Sequence, residues 1–313
     1  MRTVIAVGGN ALLKESQRGT WAEQLTSARP VAEAVVALHR EGHEVVLTHG
    51  NGPQVGTLLL QHAMGEPQVP ALPLHVLDAM TQGELGYLLQ TAVGQVDAAV
   101  PTAALLTRVR VDPGDPAFDE PTKPIGPFYS EEDAVRLSRD RGWRVGPDAD
   151  RGWRCLVASP LPVEIVELEQ IRALAAGGVV VIAAGGGGIP VATGRGALQG
   201  VAAVIDKDRC SAELAVALNA DLLVLLTAVP RVVCDFGTRW ERPLARLTPA
   251  EARRLLDEGE FPPGSMGPKV ESAERFVRGG GRAAVITDAG SLLPAIRGED
   301  GTRIAEAREA VVA

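Results

Sequence analysis

Short runs of β-branched and other apolar residues recur along the chain, and several of them end in glycine. Continuous Val, Ile and Leu runs are typical of strands that are covered on both faces. We predict strands at 3–7, 44–48, 179–184, 221–229 and 282–287. Segments with helical spacing lie between them, and we predict helices at 23–41, 82–95, 167–176, 210–219, 249–258 and 269–278. Strands that alternate with helices predict an α/β fold with a mainly parallel sheet and helices on both faces.

Two stretches interrupt this alternation. Residues 112–162 are rich in Pro, Gly and charged residues, and this stretch is too long for a connecting loop in a compact domain. We interpret it as an inserted subdomain or a lid over a site. Residues 236–243 form a shorter irregular stretch, which we interpret as a loop beside a ligand.

The overall charge restricts the classes of partner. The 313 residues carry 31 basic and 39 acidic side chains, a formal net charge of −8, which argues against a nucleic-acid or anionic-membrane surface. No apolar run approaches the ~20 residues of a membrane span. Three cysteines, at 155, 210 and 234, fit neither a disulfide framework nor a zinc site. We therefore expect a cytoplasmic protein without nucleic-acid or membrane partners.

Lysine is scarce in this chain, because 27 of the 31 basic residues are arginines. The four lysines are Lys14, Lys123, Lys207 and Lys269, and the last three stand at breaks in the predicted elements, beside proline, aspartate or glycine. A lysine retained among so many arginines suggests a need for a compact ammonium group, such as one beside a phosphate. A cation at the start of a helix, such as Lys269, interacts unfavourably with the helix dipole, at a cost of ~0.3–1 kcal/mol. A bound anion at this position would reverse the sign of that interaction. The alternative is that these are exposed turn residues, and for Lys14 both interpretations stay open.

Glycine loops follow three of the predicted strands. Asn10 and Asn51 lie in two of them, where their amides could bind a small oxyanion or merely supply positive φ in tight turns. The third loop, 185–188, could offer backbone amides to an anion. No P-loop, dinucleotide-binding or protein-kinase signature is present, and the five histidines form no metal-spaced cluster. His49 fits a supporting role better than a catalytic one.

Six motifs resemble those of the carbamate kinase family, in order from end to end. They are Gly8-Gly9-Asn10-Ala11-Leu12, Thr48-His49-Gly50-Asn51-Gly52-Pro53-Gln54-Val55-Gly56, Pro121-Thr122-Lys123-Pro124-Ile125-Gly126-Pro127-Phe128-Tyr129, Gly185-Gly186-Gly187-Gly188-Ile189-Pro190-Val191, Val204-Ile205-Asp206-Lys207-Asp208 and Gly264-Ser265-Met266-Gly267-Pro268-Lys269-Val270. This resemblance implies a three-layer α/β/α sandwich, the amino-acid kinase fold, with a protruding lid subdomain. It also implies a homodimer.

The resemblance further implies a division of one domain, 1–313. Residues 1–200 would bind the substrate and include the protruding subdomain, 112–162, while 201–313 would bind the nucleotide. The implied reaction is reversible phosphoryl transfer between ATP and carbamate, giving ADP and carbamoyl phosphate, with Mg²⁺. The implied catalytic residues are Lys123, Lys207, Asp208 and Lys269. The implied substrate-binding residues are Gly8, Gly9, Asn10, Gly50, Asn51, Gly52, Gly186 and Gly187. The implied nucleotide-binding residues are Asp206, Lys207, Phe236, Met266, Gly267 and Lys269.

Three positions depart from the family pattern. His75 stands where an acid is expected, Asp78 where glycine is expected, and Cys155 at a place that is often basic. These departures put substrate-side detail or subunit contacts in doubt. Two other interpretations stay open, a sibling amino-acid kinase that acts on another small carboxylate and a nucleotide-binding sensor without catalysis.

Overall fold

A computed structural model describes residues 1–13, 17–148, 151–194, 196–262 and 264–307, without the side chains of residues 10 and 11. Its strands are β1 (Arg2–Val7), β2 (Glu44–His49), β3 (Thr102–Ala104), β4 (Arg108–Val111), β5 (Lys123–Tyr129), β6 (Val145–Pro147), β7 (Trp153–Val157), β8 (Pro162–Ile165), β9 (Val180–Ile182), β10 (Ile189–Gly194), β11 (Ala197–Gly200), β12 (Leu222–Leu226), β13 (Val232–Cys234), β14 (Arg242–Leu244), β15 (Arg246–Leu247), β16 (Ala283–Thr287) and β17 (Thr302–Ile304). Its α-helices are α1 (Gly9–Leu12), α2 (Trp21–Arg40), α3 (Gly52–Gly65), α4 (Leu74–Val96), α5 (Glu131–Arg141), α6 (Leu168–Ala176), α7 (Lys207–Ala217), α8 (Pro249–Asp257), α9 (Met266–Arg278) and α10 (Leu292–Ile296).

The central sheet has the strand order β15-β17-β16-β12-β1-β2-β9-β3. From β16 to β3 every neighbouring pair is parallel, whereas β17 runs antiparallel to β16. The chain therefore crosses from β1 to β2 on one side and later returns to β12 on the other. Such a switch point opens a crevice at the carboxyl ends of the strands, where ligands of open α/β sheets bind.

Helices cover both faces of this sheet. Val4 and Ala6 of β1 pack into a core that includes residues of α6 to α9, whereas Ile5 and Val7 pack into a core formed with α2, α4 and α10. Alternate residues of a strand point to opposite faces, so one strand serves both cores. The predicted three-layer α/β/α sandwich with a mainly parallel sheet is confirmed.

The predicted strands and helices all occur, with shifted ends. The largest shift is in α4, which begins at Leu74, directly after Pro73, and not at residue 82. Lys269 is the fourth residue of α9, which begins at Met266. Asn219 follows α7 with φ 50°, in keeping with a cap. Among the described residues, no helix combines the length and the apolar character needed to cross a bilayer.

The irregular stretch 112–162 leaves the fold after β4 and returns in β8, which is antiparallel to β4. Within it, β5, β7 and β6 form a separate three-stranded sheet, accompanied by α5. This sheet contacts α3 so closely that a Cβ on Gly56 would lie 2.0 Å from the Gly126 Cα atom. The contact fixes β5, and Lys123 at its start, against the helix that follows β2. The lid function of the stretch, and the division into two binding parts, stay predictions.

Candidate active site

A cleft of about 810 Å³ opens at the carboxyl ends of β1, β2, β9 and β12. Gly9, Gly50, Gly186 and Thr227 follow these four strands and line it. The first turns of α3, α7 and α9 also border the cleft, so the positive ends of these helix dipoles lie near its wall. The volume falls within the range of small-molecule sites.

Lys207 and Lys269 share one carboxylate in this cleft. The Lys207 Nζ donates to Asp208 Oδ1 at 2.5 Å, and the Lys269 Nζ donates to Asp208 Oδ2 at 3.0 Å. Asp208 is buried, and each lysine side chain is less than one fifth exposed. Lys207 is the first residue of α7 and Lys269 lies in the first turn of α9. Two cations at helix N-termini around one buried carboxylate leave a local excess of positive charge.

The protonation of this cluster follows from burial and charge. Burial lowers the pKa of Lys207, as does repulsion from Lys269, although Asp208 opposes both effects. Burial also disfavours the charged form of Lys269, but the attraction to Asp208 and Asp206 outweighs it and the pKa of Lys269 is raised. Burial alone would raise the pKa of Asp208, yet the two ammonium groups together lower it. The two ammonium groups therefore favour the ionised form of the carboxylate that they share.

Asp206 connects the protruding sheet to α7. Its Oδ1 accepts from the backbone N–H groups of Asp208 and Arg209, which caps the helix, and its Oδ2 accepts from the Lys123 Nζ at 2.8 Å. Burial opposes ionisation, but Lys123 and then Lys207 hold the pKa of Asp206 well below its usual value. This ion pair brings the third lysine to the same cleft.

The loop after β2 forms the opposite side of the cleft. Gly50 packs on the aliphatic stem of Lys207, because a Cβ there would lie 3.2 Å from the Lys207 Cδ. Asn51 is nearly buried and donates through its Nδ2 to Asp78 Oδ1 and to Thr81 Oγ1, each at 2.9 Å. Gly186 has φ +67°, and a Cβ there would lie 2.3 Å from the Asn51 Nδ2. Glycine is therefore required at 186 for both its backbone and its contact with Asn51.

Most of the predicted site residues lie together, although their roles stay predictions. The ones that line the cleft are Gly9, Gly50, Asn51, Gly52, Lys123, Gly186, Asp206, Lys207, Asp208, Phe236, Met266 and Lys269. Among the described residues, Gly8, Gly187 and Gly267 do not line it. Gly187 instead packs on the Ile205 backbone, and Gly267 packs on the Pro262 carbonyl. The side chain of Asn10, and Lys14 as a whole, lie outside the described part of the structure.

Sequence reasoning missed residues that reach the site from distant segments. Thr81 and Asp78 hold Asn51 across about 30 positions of chain. Arg154 lines the cleft from β7, donates to the Gly126 carbonyl and lies over the Phe128 ring at 5.1 Å. No local pattern marks Thr81 or Arg154. Asp78 alone carried a signal, as a departure from the family pattern.

The other two departures from the family pattern, Cys155 and His75, pack against neighbouring residues outside the cleft. Cys155 is buried in β7 opposite Ile125, and burial raises the pKa of its thiol to about 11. His75 packs against Gly200, where a Cβ would lie 2.2 Å from the imidazole. Neither residue lines the cleft among the described residues. Both departures are packing features in this structure.

The cleft offers neither a neutral-pH histidine base nor a resident metal site. Burial lowers the pKa of His49 to about 4, and one ring nitrogen lies 3.2 Å from the Gly50 carbonyl oxygen. Asp206 and Asp208 accept from ammonium groups. Across the described ranges, no group of three or more His, Cys, Asp or Glu could hold a metal ion. These residues therefore do not fit a metal bound by the protein alone.

Comparison with known proteins identifies the class. The sequence profile of the amino acid kinase family matches residues 1–288. The chain therefore belongs to the amino acid kinase family, and the predicted fold family is confirmed.

Several members of this family that are similar to this chain are carbamate kinases. The carbamate kinase of Pyrococcus horikoshii is 44% identical over 311 residues, which cover 97% of this chain and 98% of that protein. The carbamate kinase-like protein YqeA of Escherichia coli is 44% identical over 313 residues, covering 97% and 99%. The structure of a carbamate kinase from Giardia lamblia bound to AMP-PNP matches with a TM-score of 0.89 at 40% identity, covering 97% and 98%. The predicted kinase class is thereby confirmed.

Proposed function

We propose that this chain transfers a phosphoryl group reversibly between ATP and carbamate, giving ADP and carbamoyl phosphate. The observation that carries the proposal is the pair of ammonium groups on Asp208, which line the same cleft as the Gly50-Asn51-Gly52 loop. Sequence identity of 44% with carbamate kinases over nearly the whole chain supports it.

The chemistry needs no general base. Carbamate is already an oxyanion and can attack the γ-phosphorus directly. Burial lowers the pKa of His49 to about 4, so its neutral imidazole is only a weak base near pH 7. The reaction instead requires alignment of two anions that repel each other and stabilisation of the charge on the phosphoryl oxygens.

The lysines and the loop amides meet these requirements. Lys207 and Lys269 would neutralise the transferred group from one side, and Lys123 would approach from the protruding sheet. Backbone N–H groups of the loop before α3 and of the first turns of α7 and α9 would contribute fixed dipoles in a site that excludes water. Asp208 would hold both ammonium groups at a fixed position.

The nucleotide would lie on the α9 side of the cleft. Val229, Val233, Phe236, Phe261 and Met266 line an apolar part of the cleft wall, which suits a nucleobase. The phosphates would then extend toward Lys269 and Lys207. Residues 201–313 would thus bind the nucleotide, residues 1–200 the carbamate, and 112–162 would close over both.

Mg²⁺ would enter with the nucleotide as part of the substrate. Asp206 and Asp208 already accept from ammonium groups, and the described residues contain no cluster that could hold a metal. Magnesium in phosphate-transfer sites is commonly held by phosphate oxygens and water.

We further propose a cytoplasmic homodimer, as the resemblance implies. Trp21 and Tyr87 stack at 5.3 Å and are both exposed, and Met80 is exposed one heptad from Tyr87 on α4. An apolar surface of this kind suits an interface between copies. Sedimentation of the wild-type protein beside a Tyr87→Glu variant would test it. A wild-type monomer would contradict the proposal.

A coupled assay that measures ATP formation from ADP and carbamoyl phosphate tests the proposed reaction. We expect rapid ATP formation that depends on both substrates. A sibling kinase would prefer another acyl phosphate in the same assay, and a non-catalytic sensor would bind ADP without forming ATP. Either result would overturn the proposal.

The lowered pKa of Lys207 predicts an alkaline decline in activity. Raising the pH removes the proton of Lys207, and a neutral amine cannot stabilise phosphoryl charge. The decline in kcat/KM should therefore begin at a pH lower than about 10.4, where an ordinary lysine titrates. A bound phosphate favours the ammonium form, so kcat should fall only at higher pH. Steady-state kinetics across the alkaline range measures both profiles. A kcat/KM that stays flat up to the ordinary lysine pKa would contradict this prediction.

A further inference from the structure

The side-chain amide of Asn51 has a fixed orientation in the cleft. Its Nδ2 donates to Asp78 Oδ1 and Thr81 Oγ1, each at 2.9 Å, and both partners are fully buried. The Thr81 hydroxyl donates its single hydrogen to the Asp78 carbonyl oxygen at 2.7 Å. Thr81 can therefore only accept from Asn51. The group that faces Thr81 must be the NH₂ of the amide. The hydrogen-bond partners thus determine which of the two amide atoms is nitrogen and which is oxygen.

This orientation leaves Asn51 with one kind of group for a ligand. An amide nitrogen carries two hydrogens, and both are used on Asp78 and Thr81. Asn51 lines the cleft, so its Oδ1 is the part of the amide that remains to accept a hydrogen bond there. A Cβ on Gly186 would lie 2.3 Å from the Asn51 nitrogen, so any residue other than glycine at 186 would displace the amide. The sequence allowed this amide to bind a small oxyanion, but its N–H groups are used within the protein, which leaves its oxygen to accept from a ligand.

The surroundings also suit an anionic substrate. Burial raises the pKa of Asp78 well above its usual value, although Asn51 and Lys123 oppose this effect. A carboxyl group that tends to stay neutral adds little negative charge beside a site for anions. Asp78 thus accepts a hydrogen bond from Asn51 while it repels an anionic substrate only weakly.

We propose that Asp78 and Thr81 are positioning residues that aim the Asn51 Oδ1 at an N–H group of the substrate. The inference rests on the proposed function, because carbamate and carbamoyl phosphate carry an NH₂ group where acetate and acetyl phosphate carry a methyl group. A fixed acceptor at this place selects the nitrogen compound, since a methyl group would leave the buried oxygen without a partner.

Phosphoryl transfer to ADP from carbamoyl phosphate and from acetyl phosphate tests this selection. The measured quantity is the ratio of the two kcat/KM values. We expect the wild type to favour carbamoyl phosphate strongly, and Thr81→Val to lower the ratio by about tenfold, the worth of one hydrogen bond. The KM for ADP should stay unchanged. Thr81→Ser, which retains the hydroxyl group, should retain the ratio.

Three further variants separate positioning from folding. Thr91→Val changes the same residue type on the same helix, where the hydroxyl donates to the Tyr87 carbonyl away from the cleft, and it should leave the ratio unchanged. Asp78→Ala removes the other acceptor and should lower the ratio, whereas Asp78→Asn can still present an oxygen and should preserve it. If Asp78→Ala fails to fold, the isosteric Thr81→Val decides alone.

The outcomes distinguish the inference from the proposed function. No transfer from carbamoyl phosphate in the wild type would defeat the proposed function. Equal use of both phosphates by an active wild type would defeat the inference alone. A Thr81→Val protein that loses activity equally with both donors, or keeps its full preference, would also defeat the inference.

Discussion

Replacing Lys207 or Lys269 by methionine is expected to lower turnover by at least ~10²–10³, the loss typical of one removed transition-state donor. Under the proposed function, each ammonium group would stabilise the negative charge that develops on the phosphoryl oxygens. Methionine keeps the apolar stem, which for Lys207 packs on Gly50, so the cleft keeps its shape. Asp208 keeps one ammonium partner in either variant, and folding should survive. Turnover is measured as ATP formation from ADP and carbamoyl phosphate.

Arg209→Met is the matched control for these variants. Arg209 is another cation of the first turn of α7, but its guanidinium contacts Glu271 and does not line the cleft. Its replacement should leave turnover within a factor of about two, since an exposed ion pair contributes little. Near-normal turnover in both lysine variants would refute the assignment of the ammonium groups.

Replacing Asp208 by alanine is expected to disable the site and also to destabilise the fold. The change leaves two largely buried ammonium groups facing each other without their shared carboxylate. Removing one partner from a buried ion pair costs about 3–5 kcal/mol in the free energy of unfolding. Chemical denaturation measures that loss, and inorganic phosphate should restore more stability to the variant than to the wild type. The phosphate would supply the missing negative charge.

Glu271→Ala provides the comparison for Asp208→Ala. Glu271 also joins α9 to α7, through Arg209, but that pair is more than one third exposed on each side. Its loss should change the free energy of unfolding by no more than about 1 kcal/mol. An equally small loss of unfolding free energy in Asp208→Ala, with no additional stabilisation by phosphate, would contradict this prediction. The two lysines would then not need the Asp208 carboxylate to remain buried together.

Local sequence patterns predicted the parts of the fold and site that depend on neighbours along the chain. Buried strands such as β1 and β12 are nearly all apolar, so their runs stand out. The start of α4 was misjudged, because the buried face of its first turns includes the polar residues Asp78, Thr81 and Gln82, whereas the apolar Met80 is exposed. A helix with no dominant apolar face gives little signal for its first turns.

The polar contacts of the site depend on the tertiary fold. The scarcity of lysine drew attention to Lys123, Lys207 and Lys269, and all three line the cleft. The pairing of Lys123 with Asp206 could not be assigned, because an acid at a helix start can cap, pair or face solvent. Thr81 could not be found at all, since a buried threonine inside a helix has no distinguishing local pattern.

The clustering of three of the four lysines has a chemical consequence. Arginine resists most electrophiles that acylate or carbamoylate primary amines, so three of the four side-chain targets of such reagents in this chain line the cleft. An amine-directed reagent would abolish turnover at a stoichiometry of a few groups per chain while the outer surface kept its charge. The number of lysines that a bound nucleotide or phosphate protects from the reagent would then give the number that lie at the ligand.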